Sequence, residues 1–248
     1  MPTPFTHLAS AQRLLDAAGL PAPERAFLRN HLPAFLLGSI AADGHSEAGL
    51  RREDTHFYTY DRPIAVALPE VLLTRYPALV TPDSLDQCAF VAGYIGHLAL
   101  DEVWTESVTR PHFIEPAWGN SSERFLMLNV LLIGMDERDR RSLESEQMAF
   151  LACAEPFNWL PFLPDSALIA WRNVITCQLE PGAPSSTLPI ISTRTGLTVS
   201  DLRVLVDSED VREQRLWAHV PRSVVDETEI LMQTYAREQV TDYLDGLT

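Results

Sequence analysis

The chain has 248 residues, 46% of them hydrophobic, with 34 acidic residues against 19 basic ones and a formal charge of −15. That length holds one large domain or two small ones, and the apolar share is enough for a sizeable core. The charge excludes electrostatic docking to duplex nucleic acid or to anionic membrane surfaces, although a phosphate ester can still bind through a metal ion. No run of about 18 apolar residues predicts a transmembrane helix, so no integral membrane association is expected. The N-terminal stretch lacks a basic segment and a cleavage site, and a cytoplasmic protein is expected. Cys88, Cys153 and Cys177 are too widely spaced for a zinc finger or a disulfide framework and read as core thiols.

The pattern along the chain is helical almost throughout. Phe5, Leu8, Ala9, Ala11, Leu14, Leu15 and Ala18 recur with a period near 3.6 over residues 4–18, and Gly19 ends the run. A second helix is predicted over 23–40, loosened at its end by Gly38. Residues 41–62 are polar and loop-like, and a third helix covers about 64–75. Thr81 and Pro82, as N-cap and first helical residue, open a long helix that runs to about 104. Further helices are predicted at about 121–133, 136–154, 166–178, 198–208 and 222–245. Residues 179–196 are rich in Pro, Ser, Thr and Gly and read as a long loop. Only 188–193 offers a strand signal, weakened by Pro189. The reading is a single all-α domain over 1–248, with a metal-site half at about 1–115 and a helical C-terminal half at about 116–248.

Chemistry concentrates in two stretches. Gly93 to Trp104 places His97 and Asp101 four residues apart in an apolar run, so both lie on one helix face, one turn apart. A buried imidazole–carboxylate pair needs a partner or a counter-charge, and a divalent cation supplies both. The second stretch is Asp54-Thr55-His56-Phe57. With His7 and Asp43, these residues form a candidate ligand set of His7, Asp43, His56, His97 and Asp101. Such donors suit zinc, and equally iron or manganese.

The order of the pieces carries a resemblance. Thr6-His7 near the N-terminus is followed by Gly38-Ser39-Ile40-Ala41-Ala42-Asp43, then Thr55-His56-Phe57. Last comes Gly93-x-x-x-His97-x-x-x-Asp101-x-x-Trp104. Over residues 3–104 this resembles the zinc-dependent phospholipase C family. It is closest to the branch that includes the N-terminal domain of glycosylphosphatidylinositol-specific phospholipase D. The resemblance implies helices enclosing a metal cluster, as in the related single-strand-specific nucleases. It implies that Asp43, His56, His97 and Asp101 hold one zinc. Asp101 would bridge to a second ion that His7 also ligates. The chain departs from the family in two places. Met1-Pro2 precede the region where secreted members use their processed N-terminal amine. After Asp101 the next histidines are His112 and His219, without the acidic partner that a third ion needs. One ion is expected, a second is compatible, and a third lacks ligands.

The expected activity is therefore metal-assisted hydrolysis of a small phosphate ester, reduced by the missing ligands. Asp43 or a nearby acid such as Asp54 serves as general base. Arg51, Arg52 and Arg62 are candidates for phosphate contact, or form a solvated loop face. Phe150, Phe157, Trp159, Phe162 and Trp171 form an aromatic-rich stretch that suits a core, a homo-oligomer contact or a lipid-accepting wall. Two rivals stay open. One is a metal-stabilised helical protein that binds a ligand without catalysis. The other is a different metallo-hydrolase or a non-haem iron protein using the same donors.

Overall fold

The computed structural model describes residues 2–116, 118–143, 145–180 and 182–247, and among these it is all-helical with no strand. Helix α1 (Pro4–Leu14) is followed by α2 (Ala22–Asn30) and α3 (Leu32–Ala41), which runs on into a 3-10 turn, Ala42–Ala48. Next come the short α4 (Arg52–His56), α5 (Leu68–Arg75) and the long α6 (Leu85–Trp104), which passes without a break into a π-helical segment, Thr105–Ile114. The second half comprises α7 (Ser121–Ser142), α8 (Ser145–Ala149), α9 (Asp165–Leu179) and α10 (Thr187–Thr195). It ends with α11 (Val199–Asp207), the single turn α12 (Glu209–Val211) and α13 (Arg222–Asp245). No helix among the described residues is long and apolar enough to cross a membrane.

The axis of the fold is α6. Every residue from Gln87 to Asp101 is buried, as expected of a helix apolar on all sides. α3 packs along one flank and α13 along another. The α3 crossing is close because glycines meet there. A Cβ on Gly38 would land on the Phe90 carbonyl oxygen, and a Cβ on Gly93 on the Phe35 carbonyl oxygen. Gly38 therefore sits inside α3 as a contact residue and does not loosen its end. α13 is tied to α1 by Ser10, which donates to Gln233 Oε1 (2.8 Å), and to the α5–α6 connection by the Tyr243 hydroxyl on the Leu79 carbonyl (2.9 Å).

Several element boundaries differ from the sequence pattern, each for a local reason. The 23–40 helix is two helices, because Pro33 has no N–H to continue the ladder from α2. α6 begins at Leu85, not at Pro82: Ser84 is the N-cap, accepting from the Gln87 N–H at 3.1 Å. Residues 41–62 are not all loop, since they contain the 3-10 turn and α4. The α7 helix is continuous to Ser142, so no break separates 121–133 from 136–154 at Gly134. The strand-like 188–193 lies in α10, within the stretch read as a long loop. Pro189 sits in its first turn, and Gly196 ends it in the left-handed region (φ 72°). Of the cysteines, only Cys88 is in the core; Cys153 and Cys177 are exposed.

The π segment has a cause in its sequence. Pro111 lacks an N–H and its ring would meet the carbonyl of Ser107 in an α-helix, and the wider helix relieves both. The outer face of α6 and this segment holds down the 57–68 loop. Glu102 accepts from the Leu68 N–H (2.8 Å) and Glu106 from the Ile64 N–H (3.1 Å), while Arg110 donates to the Tyr60 carbonyl (3.1 Å).

The glycine crossing sets a prediction. Gly→Ala inside a helix ordinarily gains up to about 1 kcal/mol. At Gly38 or Gly93 the added methyl meets main chain that cannot rotate away, and overpacking of this kind costs about 1–3 kcal/mol or more. Gly93→Ala should lower the denaturant midpoint. A variant at least as stable as the wild type would contradict the crossing.

Candidate metal centre

Five side chains converge where α1, the end of α3 with its 3-10 turn, α4 and the last turns of α6 meet. His97 and Asp101 face the same way on α6, Nε2 to Oδ2 3.9 Å. His56, the last residue of α4, places its Nε2 3.3 Å from His97 Nε2, 3.4 Å from Asp43 Oδ1 and 3.6 Å from Asp101 Oδ2. His7 enters from α1 with Nε2 3.4 Å from Asp101 Oδ1, its ring stacked on that of His97 with centroids 3.7 Å apart. His7, His56 and Asp101 have no exposed surface, His97 1% and Asp43 8%.

Main-chain carbonyls fix the orientation of two rings. His97 Nδ1 lies 2.9 Å from the Ser39 carbonyl, and His56 Nδ1 lies 3.1 Å from the Arg52 carbonyl. A carbonyl only accepts, so the tautomer that satisfies both contacts has the hydrogen on Nδ1, where His56 also meets the Thr55 hydroxyl (3.0 Å), and leaves each Nε2 a lone pair. Two lone pairs thus face each other at 3.3 Å with a carboxylate on either side, an arrangement that calls for a cation. Both nitrogens of His7, Oδ2 of Asp43 and Oδ1 of Asp101 are buried without a hydrogen bond. The donors fall into two overlapping sets, His7–His97–Asp101 and Asp43–His56–His97, each with its ligand atoms within 4.8 Å of one another. Ligand atoms about 2.0–2.2 Å from an ion stand about 3.3–3.6 Å apart around a tetrahedron. The His56-centred spacings fall in that range, so the residues fit a small divalent metal ion. His97 has only one free nitrogen and serves one ion at a time.

Protonation favours the same use. Burial pushes the His97 imidazole down to about 3 and also lowers His56, so both rings are neutral near pH 7. Burial alone would raise Asp43, but the contact with His56 and the rings beyond it bring it down to about 2. Burial opposes ionisation of Asp101 as well, and the His7 contact and neighbouring rings hold it well below the usual carboxylate range. Neutral imidazole and ionised carboxylate are the ligating forms.

Other positions read from the sequence fall elsewhere. Asp54 is not at the cluster: its carboxylate accepts from the Arg51 main-chain N–H (3.1 Å) at the start of α4. Arg51 is spent on Glu53 and Asp54 at the surface, and Arg62 is exposed. His219 stacks on Trp118, with centroids 4.4 Å apart. Arg52 alone of the three arginines reaches the site, 3.1 Å from Asp101 Oδ2. Trp171 on α9 donates to the Ile40 carbonyl (2.8 Å) and packs on Gly44, bracing the turn that carries Asp43. Neither Ser39, whose contribution is a main-chain carbonyl, nor Trp171, read only as part of an aromatic stretch, carries a sequence signal for these roles. No protein-family model, curated protein or solved structure matches this chain.

Acid should therefore unfold the metal-free protein early. Between the unfolded-state value near 6.5 and the folded value near 3, the unfolded chain holds a proton on His97 that the native state does not. Stability then falls as pH drops through this window, by about 1.4 kcal/mol per pH unit for each such histidine. The contribution of Asp43, depressed from 3.8 to about 2, is lost below that. Denaturant midpoints of chelator-stripped protein from pH 7 to 4 should show the slope, and His97→Gln should flatten it. An equal slope in the variant refutes the assignment.

Proposed function

We propose that this protein is a divalent-metal-dependent hydrolase of phosphate esters, related to the zinc-dependent phospholipase C family, with zinc as the first candidate ion and iron or manganese as alternatives. The observation that carries the reading is the meeting of His7, Asp43, His56, His97 and Asp101 in one buried cluster whose spacings suit an ion. These are the positions the family resemblance implies, drawn from three separate helices and a turn. Asp43, His56, His97 and Asp101 would hold the first ion, with His7 and Asp101 Oδ1 at the edge where a second would sit. A bound divalent ion supplies Lewis-acid polarisation of a phosphoryl oxygen and of water. Asp43 is the donor with most exposure, and its Oδ2 is free of hydrogen bonds. A pKa near 2 makes it a ligand first and a proton acceptor second, since an efficient base lies near the working pH.

A second reading rests on the burial itself. Four of the five donors have 0–1% exposure, and a closed four-ligand site is the mark of a structural ion. In that case the metal staples the helices of a binding protein.

Metal content separates both readings from an adventitious cluster. The purified protein should carry about one equivalent of divalent metal, and His97→Ala with Asp101→Ala should abolish it. An ion that binds only the native state stabilises it by about 2.7 kcal/mol at a hundredfold excess over its dissociation constant. For a chain of this length, stripping the ion should then lower the melting temperature by roughly 5–10 °C. A melting curve unmoved by confirmed metal loss removes the site from consideration.

Turnover separates the two readings from each other. The metal-loaded protein should hydrolyse small activated phosphodiesters weakly and act poorly on phosphatidylcholine bilayers, because the ligands for a third ion are missing; the charge of −15 also disfavours docking to anionic lipid. Asp43→Asn keeps shape but removes charge. Loss of turnover with metal retained assigns it the proton, and loss of both makes it a ligand. Absence of hydrolysis across a broad phosphoester panel favours the binding protein.

A further inference from the structure

Asp101 is the most demanding residue of the cluster, a carboxylate with no exposed surface. Beyond the histidines, one other charged group reaches it. The Arg52 guanidinium donates to Asp101 Oδ2 at 3.1 Å and to the Tyr58 hydroxyl at 2.6 Å. Its planar group lies over two rings, with its central carbon 4.3 Å from the centroid of Tyr58 and 4.8 Å from that of Tyr60. The Tyr58 hydroxyl is itself 2.8 Å from the Thr105 hydroxyl, one turn beyond Asp101 on the same helix. Arg52 is therefore caged, and a single nitrogen, Nη2, meets both Asp101 Oδ2 and the Tyr58 hydroxyl. With Oδ2 fixed this way, Oδ1 is left without a hydrogen bond, facing His7. The same residue acts a second time through its main chain, because its carbonyl accepts from His56 Nδ1 at 3.1 Å. The two contacts follow from α4 geometry: Arg52 is the first residue of the helix and His56 the residue one turn later.

We propose that Arg52 is a positioning residue for the metal centre: its caged guanidinium holds Asp101 in the ligating orientation while its carbonyl holds His56. The inference rests on the metal reading above and adds to it the residue that sets the strength of the site. Partners of this kind, which touch the ligands and not the ion, orient first-contact groups, and losing one typically weakens metal binding about 10–100-fold. Lysine is not an equivalent. Its ammonium is a strongly hydrated point charge on a flexible stem, without the planar face that Arg52 lays over the Tyr58 and Tyr60 rings.

The test uses the metal alone on the full chain, by zinc competition against a chromogenic chelator and by the visible spectrum of the cobalt-substituted protein. Arg52→Met keeps the carbonyl that orients His56 and removes the guanidinium. It should bind zinc about 10–100-fold more weakly than wild type and give an altered cobalt spectrum, because Asp101 is no longer held. Arg52→Lys should fall between the two. A purely space-filling role for Arg52 would leave both affinity and spectrum unchanged, and that result overturns the proposal. Should Arg52→Met fail to fold, Tyr58→Phe decides. It keeps the ring under the guanidinium and deletes the hydroxyl that braces it, together with that hydroxyl's own 3.5 Å contact to Asp101 Oδ2; weaker zinc binding supports the joint hold of Arg52 and Tyr58 on Asp101, and wild-type binding overturns it. A wild-type protein that binds neither zinc nor cobalt overturns the metal reading and this inference together. Wild-type binding with an unaffected Arg52→Met overturns only the role of Arg52.

Discussion

The contact of α3 with α6 is the constraint on which the rest of the molecule depends. Two glycines without side chains, Gly38 and Gly93, let the helices approach until each backbone lies against the other. At that distance the Ser39 carbonyl, still within α3, reaches the Nδ1 of His97 on α6. The hydrogen bond turns the imidazole so that its free nitrogen faces Asp43 and His56. α3 then runs directly into the 3-10 turn, which delivers Asp43 to the same point. A wider crossing would separate Asp43, on the turn after α3, from the α6 ligands and leave His97 to rotate.

Burying this many polar groups in one place is costly unless each is compensated. Asp101 ends a run of α6 in which every residue from Gln87 is buried, and the desolvation of a lone carboxylate there would be several kcal/mol. What offsets it is layered: imidazole rings on one side, the caged Arg52 on another, and room for a cation among the free nitrogens and oxygens. Of the atoms left without a hydrogen bond, His7 Nε2 and Asp101 Oδ1 face each other at 3.4 Å. In an apolar interior, orphaned donors and acceptors that point at one another signal a missing partner more often than tolerated strain.

The chain around the site is held by groups that contribute no ligand. Glu102, Glu106 and Arg110 are spaced one turn apart down α6 and the π segment, and each takes a main-chain group of the 57–68 loop. That ladder fixes the loop bearing Tyr58 and Tyr60, which in turn cage Arg52. Trp171, far along the chain on α9, closes the opposite side over Gly44. The two halves of the sequence are thus joined at the site, since the second half supplies support and the first half supplies chemistry.

Residue spacing by itself determined that the chain is helical and that His97 and Asp101 share a face, because those features are local and period reports them directly. The grouping of the five donors was what the resemblance of the ordered motifs implied, and folding brings those side chains together. The Ser84-x-x-Gln87 cap of α6 and the Pro189–Gly196 bounds of α10 were also legible, but nearer competing signals at Thr81-Pro82 and in the β-branched run masked them. Tertiary structure alone decided the rest. Gly38 resembles any helix-weakening glycine until Phe90 lies across it. Arg51, Arg52 and Arg62 are alike in a polar segment, yet only Arg52 meets a buried carboxylate, 49 positions along the chain. The Ser39 carbonyl and the Trp171 indole act through contacts 58 and 131 residues away. Such roles belong to pairs brought together by folding, and neither partner carries a mark of them in its own neighbourhood.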